Sequence, residues 1–338
     1  MEANAIMAAM PNPLGREARV RLAAALGVGW VLLGLGAWIY ARMKDIPAWA
    51  AVPLAAAFLL EIPFYLSPGF EAPRAWLAAR GKIRAAALLT CSAVAPWLVY
   101  SLATGEAGAA HFLGLLAIVL AVAFWYVILP AAPAADALFL VALVAIYLSK
   151  VFDGIYGSPV RGLSISVLGH LMLIRLAAMA LLVVRGNVTA EFRFLPNRGE
   201  WLTGLRYFAF TLPVVGFTYW ALGLVRLRPQ PLNILQALGI FLGILWVVAL
   251  SEEFFFRGLL QQWLERWTGS AVTALVVAAI LFGSAHLGFH RIFPNWRWAI
   301  VAGILGIFCG LAWKQSRSVQ ASMVTHALIV TVWEVFLR

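Results

Sequence analysis

Charge is scarce in this sequence. Asp, Glu, Lys and Arg make up 12% of its 338 residues, roughly half the share of a soluble domain, and such a chain cannot cover its apolar surface in water. Cysteine is scarcer still. Cys91 and Cys309 are the only two, both inside apolar runs and neither with metal-ligand spacing. That excludes a disulfide framework and leaves both as packing or lipid-facing residues. No HExxH stretch is present, which excludes the single-helix zinc-protease signature. No short internal repeat occurs. Acidic residues number 14 against 25 basic ones, for a net charge of +11. In a soluble protein that balance would suggest nucleic acid. Here the basic residues sit in short connections between apolar runs without any base-stacking motif, which argues against a nucleic-acid partner and suits retention at the surface of a lipid bilayer.

Hydrophobic residues are what the chain does have, at 64% of the total and a mean hydropathy of +0.92. A bilayer core about 30 Å thick needs about 20 apolar residues per helix, and about eleven such segments can be read. They run over 20–41, 46–66, 85–103, 111–130, 134–151, 162–184, 205–225, 232–251, 271–289, 298–313 and 319–337. The predicted fold is all-α, a polytopic transmembrane helical bundle. Proline and glycine mark many of its connections, as at Ser67-Pro68-Gly69, Gly157 to Pro159 and Pro229 to Pro231. Arg16, Arg19 and Arg21 precede or open the first run, which is too long for a signal-peptide core and predicts an uncleaved first helix. Counting basic residues on alternate connections favours a cytoplasmic N-terminus, and the Ala- and Arg-rich composition leans towards a bacterial inner membrane. The longest polar connection, 185–204, contains Glu191, Arg193, Arg198 and Glu200. It predicts a boundary between an N-terminal bundle over 1–190, of unassigned role, and a C-terminal core over 200–338.

Within hydrocarbon a charged side chain costs roughly 3 kcal/mol, so such residues are functional candidates by default. The outstanding group is Ser251-Glu252-Glu253-Phe254-Phe255-Phe256-Arg257-Gly258. Neighbouring helical residues differ by about 100° in direction, so the two glutamates diverge. Glu253 and Arg257 have the acid-first spacing of four that suits an ion pair, which leaves Glu252 without a local partner. A second helix supplies one. Glu252 stands 17 residues before Gly269 and His286 stands 17 after it, so an antiparallel hairpin brings both to one depth. His326 in the last segment adds a second imidazole, with a poorer depth match. Taken singly, a Glu-Glu-x-x-x-Arg at a helix end is an interfacial salt bridge and an intramembrane His is a packing residue. Three such elements on consecutive helices point to a site. Glu61, His170, Arg175 and Glu334 stand isolated and are expected to be structural pairs. His290, four past His286, is expected to be peripheral.

The motifs resemble those of the CPBP family, the CaaX-protease and bacteriocin-processing (Abi) membrane proteins. Its pattern is EExxxR, then FxxxH, then HxxxN or HxxxD. The first is complete as Glu252, Glu253 and Arg257, and the second as Phe282 to His286. The third departs from it, since Val330 stands four residues after His326. The resemblance covers roughly 200–338. It implies intramembrane endopeptidase activity on a membrane protein or lipidated, C-terminally tailed peptide. It makes Glu252 the base that activates water together with His286, and His326 the oxyanion stabiliser. With Val330 in place of the amide, either Thr325, Ser322 or backbone helps His326, or activity is weakened or lost. Glu253, Arg257 and Phe282 would support them. A metalloprotease variant of this reading has zinc held by His286 and His326 with a glutamate. Two other classes are an inactive immunity or scaffold relative that binds without cleaving, and a transporter suggested by the helix number and by Glu61, His170 and Arg175.

Overall fold

The computed structural model describes residues 16–186, 189, 191–225, 234–289 and 292–337, with side chains from residue 20 onward. His290 therefore lies outside the described residues, as do Arg226, Arg228, Arg291 and Arg338 from the charge count and the Pro229–Pro231 connection. The regular structure of the described residues is all helical, with no strand among them. Two compact units divide the chain, 1–188 and 189–338.

The first unit contains α1 (Arg16–Met43), α2 (Ala48–Leu66), α3 (Glu71–Ala78), α4 (Lys82–Thr104), α5 (Ala109–Ile128), α6 (Pro133–Leu148), α7 (Val151–Ile155) and α8 (Ser166–Arg185). Among its described residues the interior is largely apolar and holds two ion pairs. Arg175, fully buried, donates from Nε and Nη2 to both oxygens of Glu61 and from Nη1 and Nη2 to the hydroxyl and carbonyl of Ser92. Arg185 binds both oxygens of Asp136 at 2.7 and 2.6 Å, and Tyr126 donates to the same carboxylate at 2.9 Å. These are the structural pairings expected of charges held away from water. His170 bonds from Nδ1 to the Ser166 carbonyl at 2.8 Å and stacks edge-on with Tyr147 and Phe152.

The second unit contains α9 (Arg198–Ala221), α10 (Ile234–Thr268), α11 (Ala271–Ala285), α12 (Trp296–Ser316) and α13 (Val319–Leu337). Asn197 and Glu200 cap the start of α9 reciprocally, each side chain accepting from the other's backbone N–H. Gly269 ends α10 in the left-handed conformation at φ 67°, and the Ser270 hydroxyl caps α11 by accepting from Thr273 N–H. This is the hairpin that the residue count anticipates, and α11 packs back on the end of α10.

Eight helices are long and apolar enough to cross a membrane: α1, α2, α4, α5, α8, α10, α12 and α13. The chain is an integral membrane protein with a helical transmembrane fold. The remaining apolar segments of the sequence fall on α6 and α11, which are shorter apolar helices, and on α9, whose first turns hold Arg198, Glu200 and Arg206.

Candidate functional site

The site is built on α10. Its backbone is π-helical over Ile244–Ala249 and again over Phe254–Gln261, and the α-helical turn Leu250–Glu253 lies between them. Such i→i+5 stretches are rare and gather at functional positions. Here they bracket the two adjacent glutamates.

Glu253 and Arg257 are both fully buried. Arg257 Nη1 donates to Glu253 Oε1 at 3.0 Å and Nη2 donates to the Gly306 carbonyl of α12 at 2.8 Å. The guanidinium carbon lies 4.8 Å from the Phe282 ring centre. Arg257 thus ties three helices together. His326, from α13, completes the pair: its Nδ1 is 2.7 Å from Glu253 Oε1. Because a carboxylate only accepts, Nδ1 carries the proton, and in the neutral ring Nε2 is an acceptor.

That Nε2 faces Glu252. Its distance to Glu252 Oε2 is 3.9 Å, too long for a direct hydrogen bond. The Glu252 side chain is 26% exposed, while its Oε2 is buried and has no hydrogen-bond partner. The structure thus brings together Glu252, Glu253, Arg257, Phe282 and His326.

His286 is joined to this group by stacking. It caps the end of α11, with Nδ1 on the Phe282 carbonyl at 2.9 Å, and its ring centre is 5.0 Å from that of Phe282. Phe282 in turn meets His326 edge-on at 5.7 Å. Among the described residues the imidazole nitrogen within 4.0 Å of a Glu252 oxygen belongs to His326, not His286. Equal depth in a hairpin fixes height along the helices and leaves side-chain direction open.

The expected helpers of His326 are committed elsewhere. Ser322 donates to the Cys309 carbonyl at 2.7 Å, and Thr325 donates to the carbonyls of Gly204 at 3.0 Å and Ala321 at 3.2 Å. Val330 packs against an apolar cluster that includes Phe256, Phe282 and Ile329. The start of α13 is held by polar residues from the 185–204 connection. Arg193 Nη2 and the Ser318 hydroxyl both donate to Glu200 Oε1 at 2.5 Å, and Gln320 Nε2 donates to the Arg193 carbonyl at 3.0 Å. This network fixes the helix that carries His326.

Sequence spacing gave no warning of Cys309. It is buried in α12, and its Sγ lies with a Glu253 oxygen and a His326 nitrogen inside a group whose atoms are all within 4.8 Å of one another. These are donor types that zinc takes, but they fit a metal poorly. Glu253 Oε1 already accepts from Arg257 and from His326 Nδ1, and Arg257 already supplies a positive charge to that carboxylate. His286 is not among them, so the expected pair of histidine ligands is not assembled.

No curated protein and no solved structure matches the chain significantly. One family model does, described as Type II CAAX prenyl endopeptidase Rce1-like, and it matches residues 233–332. That range contains Glu252, Glu253, Arg257, Phe282, His286 and His326, so over residues 233–332 the chain is similar to this family, in agreement with the motif resemblance to the CPBP proteins.

Proposed function

We propose that the protein is an intramembrane endopeptidase in which Glu252 activates water against a peptide bond of a membrane-associated, C-terminally tailed substrate. The observation that carries this reading is the 3.9 Å gap between two acceptors, Glu252 Oε2 and His326 Nε2. A water about 2.8 Å from each would donate to both and keep a lone pair free for a carbonyl carbon. Glu252 takes the proton as the attack proceeds and returns it to the leaving amine, ordinary general acid–base work for a positioned carboxylate. In this tautomer His326 Nε2 accepts from the water and orients it for attack, and the Glu253 carboxylate on Nδ1 holds the ring that way. His286, with Nδ1 on a carbonyl, offers Nε2 as a further proton acceptor at the edge of the site. Glu253 and Arg257 position His326.

A prenylated CaaX-tailed peptide is the first substrate to test, given the name of the matching family. The experiment uses the full chain in liposomes and detects the released C-terminal peptide by mass spectrometry. Release is expected from the wild type and is expected to be lost in Glu252→Ala and in His286→Ala. Release that persists in Glu252→Ala overturns the assignment of the base. One observation favours a second reading, a relative that binds without cleaving: Val330 fills with apolar packing the place where the motif has an amide. Saturable binding of the peptide by the wild type without release would establish that reading instead.

A further inference from the structure

Hydrolysis inside a membrane requires water at a place lipid keeps dry. Glu253, Arg257, Gln261 and Glu265 recur every fourth residue along α10, so they follow one another along one face. The first three are nine-tenths or more buried. Each has a polar atom without a hydrogen-bond partner: Glu253 Oε2, Arg257 Nε and Gln261 Oε1. Their other atoms are satisfied across the seam with α12, where Arg257 donates to the Gly306 carbonyl and Gln261 Nε2 to the Gly310 carbonyl at 3.3 Å. Gly310 lies close against this row, for a Cβ there would press on Gln261 Oε1 and, more closely, on Leu275 Cδ1 of α11.

The row does not end blindly. Trp313, one turn beyond Gly310 on α12, is buried and its indole Nε1 also has no partner. Trp313 lines a cavity of about 410 Å³ together with Thr189, Gln262, Glu265, Arg266 and Arg317. Arg317 closes one side by pairing with both oxygens of Glu265 at 3.2 and 3.3 Å. Arginines and tryptophan at the ends of two spanning helices mark the membrane–water boundary.

Buried polar atoms left without protein partners are where ordered water belongs. Four helical residues rise about 6 Å, close to two hydrogen-bond lengths of about 2.8 Å, so a single water can bridge each step of the row. We propose that a file of bound waters runs from the boundary cavity past Trp313, Gln261 and Arg257 to Glu253, and replenishes the water beside Glu252. The supply role rests on the hydrolytic reading above, while the file itself does not. Gln261 and Trp313 are positioning residues for this water.

The test separates the two. In a Cys91→Ala background reconstituted in liposomes, Gln261→Cys is treated with a charged, membrane-impermeant methanethiosulfonate reagent. The parent background records any reaction of Cys309. Ile280→Cys, on the exposed apolar surface of α11, is the lipid-facing control. Modification of Gln261→Cys well above both controls is expected, and reactivity no greater than theirs in a folded protein overturns the file. With a cleavable peptide, Gln261→Leu is expected to lower kcat about tenfold with KM unchanged, as for the loss of one well-placed bridging interaction, and Gln261→Glu is expected to restore most of it. Wild-type kcat in Gln261→Leu overturns the supply role even where labelling succeeds. Labelling needs no substrate, so failure of all variants to cleave counts against the hydrolytic reading alone.

Discussion

His326 stands between two glutamates with its two ring nitrogens in different employment: Nδ1 is 2.7 Å from Glu253, and Nε2 is 3.9 Å from Glu252. The near contact is a hydrogen bond that fixes the tautomer. The far one leaves room for a reactant. Adjacent positions in the sequence thus serve separate ends, because neighbouring residues on a helix diverge in direction.

If Glu253 sets the tautomer of His326, an amide in its place releases it, since Gln can also donate to Nδ1. Glu253→Gln is expected to lower kcat by roughly 10²–10⁴-fold with KM little changed, in an assay run well below the melting temperature. Wild-type kcat in this variant would remove Glu253 from the account.

Arg257 acts through structure. It is fully buried, with Glu253 and the Gly306 carbonyl as its partners, and truncation leaves a buried carboxylate without its countercharge. Arg257→Ala is expected to cost about 3–5 kcal/mol, read as a large drop in unfolding midpoint in detergent. A midpoint within a degree or two of the wild type would show that the pair contributes little.

Val330 has settled into apolar packing. Restoring the motif with Val330→Asn therefore places an amide among apolar side chains, at an expected cost of about 1–3 kcal/mol, without a gain in kcat. A faster enzyme would mean that the amide finds the oxyanion and that the wild type is a weakened protease.

Glu253 Oε1 and His326 Nδ1 are already bonded to each other. Dialysis against a strong chelator, followed by elemental analysis and an activity assay, is expected to leave the rate unchanged. Loss of activity that zinc restores would show that these contacts rearrange around a metal.

Much of this site was legible in the sequence because it rests on short-range geometry. The Glu253–Arg257 pair follows from a spacing of four, and the α10–α11 hairpin follows from Gly269 and the apolar runs either side. What escaped depends on partners far apart in the chain. Cys309 reaches the carboxylates only because α12 packs beside α10, and the Glu61–Arg175 pair joins residues 114 apart. The depth count paired Glu252 with His286 and ranked His326 lower, whereas the nearer imidazole is His326. Counting residues from a turn assumes a uniform helical rise and gives no side-chain direction, and α10 is π-helical over Phe254–Gln261. The Arg193–Glu200–Gln320 network was visible only as a polar connection, though it anchors the helix that carries His326.

The most direct test of the central claim compares wild type and Glu252→Gln at equal abundance in the native membrane, with new protein termini quantified by mass spectrometry. The side chain is partly exposed and its Oε2 is unpaired, so the substitution should leave the fold intact. A set of membrane-protein termini present with the wild type is expected to disappear with Glu252→Gln. An identical set of termini in both would contradict the central claim.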